Sequence, residues 1–313
     1  MTKLLIVAPA FNEEVALPRF LDEARAFREA HRADLDVRVL IVDDGSTDRT
    51  GAILESAAAA DPSGVGYVRL SGNAGHQAAL MAGLCHAGAW PEVVVTMDAD
   101  LEHPFAVVRS LVDEWARSGA IVVHALREAS RDLPRAKRWP SAMFYRATSK
   151  LTGLPLSPGQ ADFRLWDASA LRSVSAYLPH VGSLRVFAAW IPGPKASVRY
   201  EQHVEPDRTT RFTFRKNYEL AAISVIRFSN LPLQAITLLG AAGLAFSAVY
   251  GAYVAVQTVR GHTVPGWAST VLVVMAMGCL QLLAIGTIAS YLQRLVFARD
   301  LPPFVVRAAR LPE

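Results

Sequence analysis

The chain has 313 residues, 52% of them hydrophobic and 19% charged, a composition that excludes a disordered chain. Its 18 Pro and 20 Gly follow no period, which excludes a collagen-like or low-complexity chain. Residues 227–313 hold six Lys and Arg against two acids, leaving residues 1–226 balanced at 26 of each sign, so the net charge of +4 belongs to the C-terminal part and nucleic acid is not an expected partner.

From the N-terminus, Leu4–Ala10 is a short apolar run followed at once by Asn12-Glu13-Glu14, without a small-residue cleavage pattern, so it reads as a strand and not a signal peptide. Short apolar runs then alternate with amphipathic stretches through residue 125, the pattern of a mostly parallel sheet flanked by helices, an α/β fold. Strands are expected at Lys3–Ala8, Val37–Val42, Gly66–Leu70, Val93–Met97 and Ala120–His124, and helices at Val15–Ala30, Thr47–Ala60, Gly75–Gly88 and Phe105–Ser118. In open sheets of this kind ligands sit beyond the carboxyl ends of the strands. Five carboxylates, from Glu13, Asp43, Asp44, Asp98 and Asp100, occupy those ends.

Arg127 to Lys150 holds seven basic residues and reads as a solvated loop or as a cationic lip for a phosphate or membrane. Asp162-Phe163-Arg164-Leu165 follows a Pro/Gly-rich stretch, a helical region runs to about Trp190, and residues 195–204 alternate like an edge strand. Residues 213–229 pair apolar side chains with Arg215, Lys216 and Arg227, which suits an amphipathic helix on a membrane surface.

Between Arg227 and Arg260 lie 32 residues without a charge or His, and between His262 and Arg294 another 31. Either run is long enough to cross a bilayer core of about 30 Å at about 1.5 Å per residue. The expected organisation is a catalytic domain over 1–212, the amphipathic segment, transmembrane helices at 230–259 and 268–293 joined by an outer loop at 260–267, and a tail at 294–313. Arg211, Arg215, Lys216 and Arg227 before the hairpin and Arg294, Arg299, Arg307 and Arg310 after it put both termini on the cytoplasmic side of an inner membrane. With only Cys85 and Cys279, one of them in a span, neither a disulfide framework nor a Cys-based zinc site is expected.

Asp98 and Asp100, two residues apart at the end of a buried strand, cannot both stay ionised in a cleft without compensation. A divalent cation resolves the conflict, and oxygen-only ligands suit Mg²⁺ or Mn²⁺ held by one or two carboxylates plus substrate phosphates. His76 and His103 lie in or beside these segments, in positions that suit loop and helix-start roles.

Val7–Glu14, Ile41–Thr50, Leu70–Leu84 and Met97–Pro104 resemble the successive motifs of the family 2 glycosyltransferases with the GT-A fold. Asp162–Leu165, the Val264–Trp267 loop and the two apolar runs resemble the polyprenyl-phosphate glycosyltransferases, relatives of dolichyl-phosphate mannose synthase. The resemblance implies a nucleoside site at Pro9, Phe11, Glu13 and Asp43, and a metal and donor diphosphate on Asp98 and Asp100, with Glu102 in a place that family members give to Gln. It implies a catalytic role for Asp162, and Arg164 and Arg185 are the cations to consider with it. The acceptor phosphate falls to Arg211, Arg215 and Lys216. The implied reaction is inverting transfer of one sugar, guessed to be from UDP-glucose, to polyprenyl phosphate. A phosphomonoester is largely dianionic at neutral pH, so Asp162 is expected to position a cation or the acceptor more than to act as a base. A homo-oligomer is compatible with the hairpin. Two alternatives stay open: a processive polysaccharide synthase, although Q-x-x-R-W is missing, and a catalytically silent membrane scaffold.

Overall fold

The computed structural model describes residues 1–127, 160–180, 183–200 and 304–312, with isolated residues between 249 and 292. The elements are β1 (Thr2–Ala10), α1 (Ala16–Ala30), β2 (Leu35–Asp43), α2 (Thr50–Ala60), β3 (Val65–Leu70), α3 (His76–Cys85), β4 (Val93–Thr96), α4 (Phe105–Ser118), β5 (Val122–Arg127), β6 (Gln160–Asp167), α5 (Ala168–Ser173), a 3-10 turn (Ser175–His180), α6 (Leu184–Trp190), β7 (Lys195–Tyr200) and β8 (Val306–Arg310). The five strands and four helices expected over residues 1–125 are all present, with ends displaced by a few residues.

Eight strands form one sheet in the order β7-β5-β6-β4-β1-β2-β3-β8. β1 is parallel to both β2 and β4, and β2 to β3. Six strands run in one direction, as expected of a mostly parallel sheet, while β6 runs antiparallel between β4 and β5 and β8 pairs antiparallel with β3. The result is a mixed sheet.

The period of two along β1 divides its side chains between the two faces of the sheet. Leu4, Ile6 and Ala8 join Leu17, Phe20 and Phe27 of α1 and Val108, Leu111 and Val112 of α4, while Leu5 and Val7 face Ala79, Leu80 and Ala82 of α3. α3 lies very close to the sheet. A Cβ on Gly83 would come within 2.3 Å of Val7 Cγ1, so only glycine allows the approach that sets the height of His76 and Gln77 at the other end of the helix.

β8 is built from the segment expected as a free tail. Ser71 N–H donates to the Val305 carbonyl (2.8 Å), and Arg38 stacks on Trp90 at 3.9 Å while donating to the Pro312 carbonyl (3.0 Å). The exposed edge of β3 is thereby covered.

Contacts divide the chain into this sheet unit and a second unit drawn from Ala147–Gly153 and Thr210–Leu301. Of the second unit only isolated residues are described. Val249, Val256, Val274, Ile285, Ile288 and Leu292 among them are helical with exposed side chains. Among the described residues no helix is long and apolar enough to cross a membrane, and most of both long apolar runs, with the loop between them, lies outside the described residues.

Candidate active site

The carboxyl ends of β1, β2 and β4 and the loop before α3 enclose a cleft of about 340 Å³. Pro9, Phe11, Glu13, Asp44, Asn73, Gly75, His76, Asp98 and Asp100 line it. The sequence-derived donor residues Pro9, Phe11, Glu13, Asp98 and Asp100 are therefore brought together.

Asp43 is placed elsewhere. Its carboxylate is buried, with Oδ1 accepting from Ser46 N–H (2.9 Å) and Oδ2 from Arg69 Nε (2.9 Å), so it shapes the turn after β2. The neighbouring Asp44 is the carboxylate of this turn at the cleft, and it accepts from the N–H groups of Ala74 (2.7 Å) and Gly75 (2.9 Å). Burial raises its pKa against those two hydrogen bonds, with the Asp43 charge adding to the rise. Gly45 has φ +69°, and a Cβ there would lie 2.5 Å from the Gly72 carbonyl carbon, so the turn and the loop are pressed backbone to backbone. The first loop is fixed to the same turn, since Asn12 Oδ1 accepts from Thr47 N–H (2.9 Å) and Glu13 N–H donates to Thr50 Oγ1 (2.9 Å).

After β4 the chain turns sharply at Leu101, which takes φ +64°, an uncommon conformation for a residue with a Cβ. The turn brings Glu102 N–H onto Asp100 Oδ1 (3.0 Å). Burial, together with the charges of Asp98 and Glu102, raises the pKa of Asp100. Asp98 Oδ2 meets His103 Nε2 (3.2 Å), and His103 Nδ1 meets the Tyr200 hydroxyl (3.0 Å). A carboxylate only accepts, so the neutral ring carries its proton on Nε2 and takes the Tyr200 proton as acceptor on Nδ1. Burial pushes Tyr200 up to about 12, which keeps that hydroxyl a donor. His103 therefore does more than start α4: it orients Asp98.

Asp98 Oδ1 is buried and accepts no hydrogen bond; His76 Nε2 lies 3.5 Å from it. An unbonded carboxylate oxygen beside a second carboxylate suits a divalent cation. Glu102 is not among the residues lining the cleft, and among the described residues no three His, Cys, Asp or Glu side chains converge on a metal-holding group. Asp98 and Asp100 thus fit an open site completed by substrate phosphates, not a closed protein cage.

Asp162, on β6, lies next to His76, one of the residues that line the cleft. Thr96, the buried polar end of the Val93–Thr96 strand, donates its hydroxyl to the Asp162 carbonyl (2.7 Å) and holds this segment beside β4. Asp162 Oδ1 accepts from Arg164 Nη2 (3.1 Å), and Oδ2 accepts from Gln77 Nε2 (2.6 Å) with His76 Nε2 at 3.6 Å. Burial opposes ionisation of Asp162, but the close approach of His76 and the charges of Arg164 and Arg185 outweigh it and hold the carboxyl well below its usual range. For His76, too, burial acts against the charged form, and the carboxylates of Asp162, Asp98 and Asp100 raise its pKa overall. Arg164 is fully buried, and its Nη1 also donates to the Leu184 carbonyl (3.1 Å). Arg211, Arg215 and Lys216 lie outside the described residues.

Opposite Arg164, on β5, stands His124, 8% exposed, with Nδ1 unpartnered. Burial, reinforced by the positive charges of Arg164 and Lys195, lowers its pKa from 6.5 to about 4. An unfolded chain takes a proton at this position below about pH 6.5 that the folded chain refuses until about 4. Stability is therefore lost on acidification through that window, by about 3 kcal/mol at its acid end. His124→Gln is expected to flatten the pH dependence of unfolding free energy between pH 6.5 and 4. An unchanged dependence would assign the acid lability to other groups.

An acid-rich cleft at the carboxyl ends of parallel strands, with a buried Asp–Arg pair beside His76, stands where open α/β sheets bind their ligands. The match to the family model "Glycosyl transferase family 2" over residues 5–176 makes the assignment specific: the chain belongs to that family and is a glycosyltransferase. It is 29% identical over 307 residues to the SfII prophage-derived bactoprenol glucosyl transferase of Shigella flexneri, covering 97% of each chain. It is 27% identical over 310 residues to the prophage bactoprenol glucosyl transferase homolog of Escherichia coli K12, covering 98% of this chain and 99% of that one. An uncharacterized glycosyltransferase of Bacillus subtilis, YkoT, is 32% identical over 293 residues, covering 92% and 86%.

Proposed function

We propose that the protein transfers a single sugar, with inversion, from a nucleoside diphosphate sugar to polyprenyl phosphate at the cytoplasmic face of a membrane, with UDP-glucose as donor and undecaprenyl phosphate as acceptor. The observation that carries this reading is the extent of the likeness to the bactoprenol glucosyl transferases, which runs over 97% of both chains and so includes the C-terminal apolar runs. Two further facts support a membrane hairpin. The described helical residues Ile285, Ile288 and Leu292 are exposed at a spacing that makes one apolar stripe. The chain also returns to the edge of the catalytic sheet as β8, so any excursion across a bilayer between Tyr200 and Val306 crosses it an even number of times.

In this mechanism Pro9, Phe11, Glu13 and Asp44 receive the nucleoside, and Asp98 and Asp100 face the diphosphate. Mg²⁺ or Mn²⁺ held by these two carboxylates would offset the charge that gathers on the departing nucleotide. His103 and Tyr200 keep Asp98 oriented, as partners of ligating groups do. Asp162, ionised and with both oxygens engaged, fixes the cations around it and leaves the acceptor phosphate, already a dianion, as the nucleophile. Arg211, Arg215 and Lys216 would meet that phosphate.

The test is incubation of the purified protein with undecaprenyl phosphate and a panel of nucleotide sugars, with Mg²⁺, Mn²⁺ or EDTA, and identification of the lipid product by mass. A singly glycosylated lipid that disappears with EDTA is expected. No lipid-linked sugar from any donor would overturn the reading, and a polymer would replace it with a processive synthase.

A further inference from the structure

Gln77, in the first turn of α3, has a side chain that joins three parts of the site. Its Nε2 donates to Asp162 Oδ2 at 2.6 Å, and its Oε1 accepts from Leu184 N–H at 2.9 Å. Leu184 begins α6, and its carbonyl accepts from Arg164, the other partner of Asp162. Gln77, Asp162, Arg164 and Leu184 thus close a hydrogen-bonded ring across β6, α3 and α6. The position of Gln77 is set by the donor loop, because Asp44 holds the N–H groups of Ala74 and Gly75 immediately before α3.

We propose that Gln77 is the positioning residue for Asp162, aligning that carboxylate with the nucleotide pocket through the loop held by Asp44. The chemistry of the position selects a primary amide. One group must donate to a carboxylate and accept from a backbone N–H at once, and a carboxamide does both while uncharged. A methionine of similar length does neither. An ionised glutamate accepts from Leu184 but sets a second negative charge against Asp162. A protonated glutamic acid restores both bonds, its O–H donating to Asp162 and its carbonyl accepting from Leu184.

That distinction supplies a readout that a merely structural role does not move. The charged and titratable groups around the position are Asp162, His76, Arg164 and Arg185, all present in wild type, so the ratio of variant to wild-type rate isolates the introduced carboxyl. The proposal rests on the transfer reaction proposed above. With undecaprenyl phosphate and the donor that wild type uses, Gln77→Glu is expected to lower kcat about 100-fold at pH 8 with both KM values within about threefold. The deficit should shrink about tenfold or more toward pH 5.5. Gln77→Met is expected to lower kcat by a similar factor at every pH.

A kcat within threefold of wild type in either variant overturns the proposal, as does a Gln77→Glu deficit that is the same at pH 5.5 and pH 8. Hydrogen exchange in a peptide spanning Leu184 is a second arm that needs no turnover. Faster exchange in Gln77→Met than in wild type supports the bridge, and equal exchange removes it. If wild type makes no lipid-linked sugar, the proposed function fails, and the exchange result alone decides whether Gln77 holds the ring.

Discussion

Asp98→Ala is expected to lower sugar transfer by roughly 10³-fold or more while leaving the melting temperature within a few degrees of wild type. The side chain offers a buried oxygen with no hydrogen-bond donor, at the carboxyl end of a central strand and two residues from Asp100, whose own carboxyl is raised by burial and by the Asp98 charge. That oxygen has His76 at 3.5 Å but no hydrogen bond, and it sits beside a like charge, so it adds little to the fold. In the proposed mechanism it meets a cation together with the donor diphosphate, so its loss is expected to be felt in turnover more than in folding. Initial rates and thermal melts of the same preparation decide the matter. A variant that turns over normally would remove Asp98 from the metal site, and one that unfolds would make it a structural residue.

The sequence shows why this residue was legible while others were not. The Val93–Thr96 run is short, apolar and followed by acids, and that local pattern needs no knowledge of distant segments. Asp43 and Asp44 were equally visible, but which of two adjacent carboxylates turns into the cleft depends on Arg69, 26 residues on, which captures Asp43. β6 carries Asp162, and in the sequence that segment shows a motif but no strand signal. Its antiparallel place between β4 and β5 is fixed by Thr96, 66 residues earlier, and nothing local announces that pairing. β8 has the same history: Val306 to Arg310 reads as a charged tail until the open edge of β3 is known. His103 looked like a helix start because its partner Tyr200 is 97 residues away. Local periodicity thus reveals the strands and the acids at their ends, whereas the groups that orient those acids come from contacts between segments far apart in the chain.

Asp162→Asn is expected to reduce both turnover and stability, and the two losses have different causes. Arg164 has no solvent exposure and is paired with the Asp162 carboxylate, with the Leu184 carbonyl as a neutral partner. Breaking a buried pair from one side costs about 3–5 kcal/mol, and the retained carbonyl bond favours the lower figure, which corresponds to a melting point roughly 10 °C lower. Turnover is expected to fall by roughly 10²-fold or more, because in the proposed mechanism the cations that Asp162 holds serve the acceptor phosphate. The wild-type pH profile then separates an anchor from a base. With its carboxyl held well below the ordinary range by His76, Arg164 and Arg185 against burial, Asp162 stays ionised across the working range and is too weakly basic to accept the proton of the acceptor. The acid limb of kcat/KM should lie near pH 6, where the acceptor phosphate gains its second proton, and the rate should fall as pH drops through it. Replacing polyprenyl phosphate with the more basic phosphonate analogue should move that limb upward by the difference between the two acceptor pKa values. A limb that stays in place with the phosphonate and vanishes in a folded Asp162→Asn enzyme would instead make Asp162 the base.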